Sequence, residues 1–203
     1  MTSTIPRAGN PKVKRAIIGV GLLVLIAVLG WQLYQAQQPP KGGDPHNDIP
    51  ALQAVKTYDY VGGDHTDKPV QYTETPPAGG PHDPVWDDCG AYPAPPRNEN
   101  AVHDLEHGTV WIAYRPDLPT SDVATLQSAL DAVKDDKTIL SPYPDLPAPV
   151  VITVWNAQLD LKSASDPRLA TFISEYGDGH TAPEAAVASC AGGKVVYASP
   201  DNP

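Results

Sequence analysis

Methionine is all but absent from this chain: Met1 is the only one, so a thioether site for Cu(I) is excluded from everything downstream. Cysteine is nearly as scarce. Cys89 and Cys190 are too few for a thiolate cluster, and an even count outside the cytoplasm permits one disulfide. Two unrelated buried thiols are the alternative. No glycine-rich phosphate loop follows a strand-like run and no Gly-x-Ser-x-Gly occurs, so neither a nucleotide or organic cofactor nor a serine-hydrolase elbow is implied. Basic residues are scarce after the first fifteen positions. Arg7, Lys12, Lys14 and Arg15 stand there without an acid, and the remaining 10 basic and 24 acidic residues leave the rest at a formal −14. A surface of that sign offers phosphate backbones no footprint, which argues against nucleic-acid binding.

One long apolar run is present. Ala16 to Leu33 reads AIIGVGLLVLIAVLGWQL, has no charge, follows the basic cluster and ends beside Trp31 and Tyr34. Its length is near the lower end for a transmembrane helix. The positive-inside rule then puts residues 1–15 in the cytoplasm, makes 16–34 an uncleaved signal anchor and places the rest outside. A cleaved signal peptide is the rival, but it would have a shorter apolar core and a small-residue cleavage site. No cysteine follows the run, which excludes a lipoprotein. The expectation is a single-pass protein of the cell membrane, with that helix as its membrane partner. Residues 35–50 (QAQQPPKGGDPHNDIP) lack periodicity and read as a linker in which His46 is solvated.

Residues 51–203 form the extracytoplasmic domain. Proline is abundant, 24 in the whole chain, but spread out, which suits a loop-rich fold. Thr109–Tyr114 and Val150–Trp155 are apolar, β-rich runs expected as interior strands, and Thr138–Ser141 is a shorter one. Val123, Leu126, Leu130 and Val133 line one stripe of a helix over 121–136. Asp166-Pro167 opens another whose face is Leu169, Phe172, Ile173 and Tyr176, ended by Gly177. Val70–Thr73 reads as a brief strand, 183–189 as a short helix, and 194–198 as a final strand or ordered tail. The order predicts an α+β domain, a small and mainly antiparallel sheet with two helices on one face. Trp86, Trp111 and Trp155 read as core aromatics.

Chemistry concentrates at Val102-His103-Asp104-Leu105-Glu106-His107-Gly108. A helical turn over 102–107 puts His103 and His107 on one face, where both imidazoles reach one metal ion. His65 and His82 sit in Gly/Pro-rich loops able to fold over that turn. The expected metal ligands are therefore His65, His82, His103 and His107, with Asp83, Asp104 and Glu106 as acceptors that fix the imidazole tautomers. An all-histidine site suits zinc or copper(II). His180 reads as a loop residue. The same residues also spell His-x-x-Glu-His, the order found in inverted zincin proteases, with Glu106 as the base and Glu175 or Glu184 as a further ligand. Gly108 and the β run behind it leave little room for the long helix that such enzymes use. Three functions stay open: a metal-binding domain, a scaffold accessory to a membrane protein complex whose histidines are structural, and a metal-dependent hydrolase. An enzyme is the less favoured reading.

Three stretches, PPAGGPHDPVWDDCGAYPAP, VHDLEHGTVWIAYRP and FISEYGDGHTAPE with Cys190 following, resemble the bacterial family called domain of unknown function 3105. That resemblance spans roughly residues 55–190 and implies a membrane-anchored extracytoplasmic domain. It places His65, His82, His103, Glu106, His107, Cys89 and Cys190 at the family's histidine, glutamate and cysteine positions. Gly79 stands where the pattern has serine. No reaction is implied.

Overall fold

The structure, a computed structural model, describes residues 49–131, 133 and 137–199. The expected cytoplasmic tail, signal anchor and nearly all of the linker lie outside these residues. Among the described residues no helix is long and apolar enough to cross a membrane.

A 3-10 turn at Pro50–Leu52 drops Leu52 into the core and leads to β1, Lys56–Thr57. The chain then runs without regular structure to β2, Gly90–Ala91. After it come α1 (Asn98–Glu106), β3 (Val110–Tyr114), α2 (Thr120–Leu130), β4 (Thr138–Pro142), β5 (Val150–Val154), β6 (Ala157–Leu161) and α3 (Arg168–Tyr176). The six strands make one sheet in the order β1-β6-β5-β3-β4-β2.

The sheet is mixed. The pairs β1–β6, β6–β5 and β5–β3 are antiparallel, as expected, whereas β3–β4 and β4–β2 are parallel. The connection explains the difference. A strand that leaves through a helix and returns to the same sheet comes back parallel, and α2 is that crossover between β3 and β4.

Strand alternation divides the core into two layers. Val110, Ile112, Leu140, Val150, Ile152, Leu159 and Leu161 face α2 and α3, against Leu126, Leu130, Leu169, Phe172 and Ile173. The two expected helices thus do share a face. On the opposite face Trp111, Ala113, Ile139, Val151 and Trp155 pack against Ala101, Val102 and Leu105 of α1, a helix of nine residues where a single turn was expected. Trp111 keeps its indole satisfied by donating to Ser141 Oγ at 3.0 Å. Trp86, by contrast with the core reading, is only half-buried.

Other local expectations fail for identifiable reasons. Val70–Thr73 forms no strand: the Val70 amide donates to the Glu99 carboxylate instead of to a neighbouring strand. Residues 183–187 are turns and 188–189 are irregular, with Lys137 Nζ bonded to the carbonyls of Ala185 and Ala188. The tail 194–198 takes the second of its two expected forms: it makes one isolated bridge, Pro96 to Tyr197, and is otherwise an ordered tail held by hydrogen bonds such as Lys194 N to Trp86 O and Val196 N to Asp87 Oδ1. Strand β6 went unseen because Ala157-Gln158-Leu159-Asp160-Leu161 is short and half polar.

Candidate metal centre

Helix α1 is the platform. Its C-terminal turn places His103 and Glu106, three residues apart, on one face. Gly108 follows with φ +87, the left-handed conformation that ends a helix cheaply only at glycine, and its amide donates to Leu105 O. A Cβ there would also press on Ala185. The helix therefore stops where the sequence suggests, and β3 starts two residues later.

Two irregular loops supply the other half. The Gly/Pro-rich segment turns through Gly79 and Gly80, both at positive φ, and delivers His82. The loop before it delivers His65. The two are joined by a parallel bridge, in which Thr66 N donates to His82 O at 2.7 Å and His82 N to Asp64 O at 3.0 Å. The ring centroids of His65, His82 and His103 stand 4.8–5.0 Å from one another.

One donor atom from each of His65, His82, His103 and Glu106 lies within 4.8 Å of the other three. The tautomers are fixed by backbone. His82 Nδ1–H donates to Gly80 O at 2.8 Å and His103 Nδ1–H to Asp83 O at 2.6 Å, which leaves each Nε2 with its lone pair available. Glu106 accepts from Gly63 N–H on Oε1, and its Oε2 stands 2.9 Å from His82 Nε2. Neither atom makes a hydrogen bond, and the two face each other as a buried ion pair that forms only with a charged ring. Burial, reinforced by the neighbouring histidines, lowers the His103 pKa and favours the neutral ring.

The remaining predicted site residues are elsewhere. His107 ends α1 outside the group of four. Its Nδ1 meets Ser189 O at 3.2 Å, its Nε2 is 3.7 Å from Glu184 Oε2, and burial followed by the His103 ring lowers its pKa. Asp83 orients His103 as expected, but through its carbonyl, while its carboxylate pairs with Arg97 at 2.6 Å. Asp104 turns away from the histidines and accepts from Asp87 N at 3.1 Å. Glu106, expected as an outer acceptor, is inside the group. His180 is an exposed loop residue bonded to Asp178.

Three contributors were not read from sequence. Trp86 packs against both helix histidines at a tilt of 59°, with centroids 5.6 Å from His103 and 5.2 Å from His107. Gly80 lends its carbonyl. Gly62-Gly63 lets the upstream loop touch Glu106: a Cβ on Gly62 would collide with Glu106 Oε1 and the Pro183 ring. Glycines just ahead of a histidine were the available signal. Gly62→Ala is accordingly expected to cost about 1–3 kcal/mol through overpacking, read as a lower urea midpoint.

Fold and site together define a mixed α/β domain with a convergent His/Glu cluster that could hold a metal. A family model described as a protein of unknown function (DUF3105) matches residues 64–192, and the chain belongs to that family. The matched span contains the four convergent residues and both cysteines. Neither a curated protein nor a solved structure matches the chain.

Proposed function

We propose that this domain binds one transition-metal ion, zinc or copper(II), through His65, His82, His103 and Glu106. The observation that carries the reading is the convergence of one donor atom from each of four residues within 4.8 Å, with His82 Nε2 and Glu106 Oε2 buried and without a hydrogen bond. Around tetrahedral zinc, nitrogen ligands at about 2.0–2.1 Å stand roughly 3.3 Å apart, so the widest separation has to contract by about 1.5 Å. The cation would supply the missing partner of His82 Nε2 and Glu106 Oε2. Left unmet, each such group costs about 1–3 kcal/mol. The scaffold reading meets both atoms by pairing them with each other at 2.9 Å, but leaves the convergence of His65 and His103 on that pair without a role.

The hydrolase reading needs Glu106 off the metal as a base. Its Oε2 among the ring nitrogens favours the role of ligand, and we assign no reaction. The basic N-terminus and the apolar run at 16–33 support placing the domain outside the cytoplasm on a membrane anchor. A disulfide persists in such a compartment.

Metal analysis of the purified full chain tests the reading. One zinc or copper(II) per chain is expected after loading, lost in both His82→Ala and His103→Ala. With free zinc at about a thousand times its dissociation constant, unfolding stability should rise by about 4 kcal/mol. A chain that stays metal-free after loading with either ion sinks the proposal.

A further inference from the structure

The four donors are not held alike. The side chains of His82 and Glu106 are 0% exposed and His103 is 4% exposed, whereas the His65 side chain is 42% exposed. Each buried donor is also anchored by a backbone hydrogen bond: Gly80 O for His82, Asp83 O for His103, Gly63 N–H for Glu106. His65 Nε2 stands off at 3.9 Å from Glu106 Oε2, against 2.9 Å for His82 Nε2.

The loop that carries His65 is exposed almost throughout from Val61 to Pro69. It hangs on the His82 bridge and the Gly63–Glu106 contact, and joins the core again at the Val70–Glu99 hydrogen bond. A surface cavity of about 410 Å³ runs along Tyr60 to Asp64 and along Gly80 and Pro81, so on that side the turn before His65 meets solvent and not packed core. Gly63, at φ +79, has no atom within 4 Å of where a Cβ would stand.

Resting on the metal-binding reading above, we propose that His82, His103 and Glu106 form a fixed triad and that His65 is a displaceable fourth ligand, whose position on the metal a small exogenous donor takes. Two imidazoles and one carboxylate retain an ion while leaving a position for an incoming ligand. The donor class is a monodentate anion or a neutral nitrogen base, since the position it takes is that of a single imidazole whose side chain is 42% exposed. The exchange is a substitution: the bond from the metal to His65 Nε2 breaks, one to the incoming lone pair forms, and no electron changes hands.

Cobalt(II)-loaded full-length protein provides the test, with azide and imidazole as probes of the d–d spectrum. In His65→Ala one cobalt per chain is expected to remain, with weakened affinity. Its spectrum should shift on adding azide, and imidazole should restore a spectrum like that of the wild type. His82→Ala should lose stoichiometric cobalt. His65→Gln repeats the test if the alanine variant fails to fold. Loss of cobalt from the His65 variants as complete as from His82→Ala overturns the inference, and so does a spectrum that neither probe moves. In both cases the wild type still binds metal, so the broader reading survives. A wild-type chain without cobalt, zinc or copper(II) removes both.

Discussion

Replacing Cys89 and Cys190 together by alanine is expected to lower the unfolding free energy by about 2–5 kcal/mol. The two form a disulfide across 101 residues, with Cα atoms 5.4 Å apart, well inside the usual range. In the chain-entropy model a loop of that length is near the upper end of what one cross-link contributes. Its position argues for a large effect. Cys89 adjoins β2, an edge strand of two residues, and Cys190 begins a tail with no strand of its own. Single hydrogen bonds otherwise join the two. Gly192 N and Gly193 N donate to Asp88 Oδ1, Lys194 N to Trp86 O, Val196 N to Asp87 Oδ1 and Ala198 N to Pro95 O. Ser189, just before Cys190, gives its carbonyl to His107. Urea unfolding of the double variant, and of wild type with and without reductant, measures the effect. Metal stoichiometry should be unchanged, since neither sulfur is in the His/Glu group. A loss below about 1 kcal/mol would mean that the hydrogen-bonded belt, and not the cross-link, holds the tail.

How far the site was legible follows from how α1 is buried. Periodicity finds helices whose apolar stripe contrasts with a wet face, as in α2 and α3. Helix α1 has no wet face. From Glu99 to Glu106 every residue is buried, and its polar members are paired inside the protein: Glu99 with Arg97 and the Val70 amide, Asn100 with Val85 O, His103 with Asp83 O. A sequence such as Asn-Glu-Asn-Ala-Val-His-Asp-Leu-Glu reads as a polar turn when it is a core helix. That also explains the shift from His107 to Glu106 within the convergent group. Spacings of three and four both reach one face, and only the exact helix phase against the loops selects between them. His65 and His82 converge with His103 from loops, as the glycines and prolines around them suggest, because those loops have one buried helix turn to fold against. The parallel half of the sheet was deducible in principle from strand-helix-strand order; the tiny strands β1 and β2 were not, since two residues carry no periodicity.

Stability in neutral solution should rise in Asp87→Asn, by an amount that vanishes near pH 4. Asp87 is fully buried. Its Oδ1 accepts from Val196 N at 2.7 Å, while Oδ2 has no partner. Beside it Asp104 is equally buried, accepts from Asp87 N on Oδ2 and leaves Oδ1 unpartnered. Burial pushes the Asp87 carboxyl up to about 7, against the Val196 amide and the Arg97 charge, which favour ionisation. Burial and then the Asp87 charge raise Asp104 as well. In the unfolded chain Asp87 returns to 3.8. Between 3.8 and about 7 the folded state therefore holds a proton that the unfolded state has lost, and stability falls as pH rises through that window. A shift of this size corresponds to on the order of 4 kcal/mol above pH 7. His103 and His107 contribute the opposite slope. Their lowered pKa values make folding less favourable as pH drops below about 6.5, where the unfolded rings take up protons. Both histidines are present in wild type and variant and cancel in the difference between the two profiles, which carries Asp87 together with its coupling to Asp104. Asparagine keeps the acceptor for Val196, replaces the unpartnered oxygen by an amide group, and carries no charge to desolvate. Urea midpoints from pH 4 to pH 8 should show the variant gaining on wild type across the window. Parallel profiles would mean that Asp87 ionises in the folded protein as it does in the unfolded one.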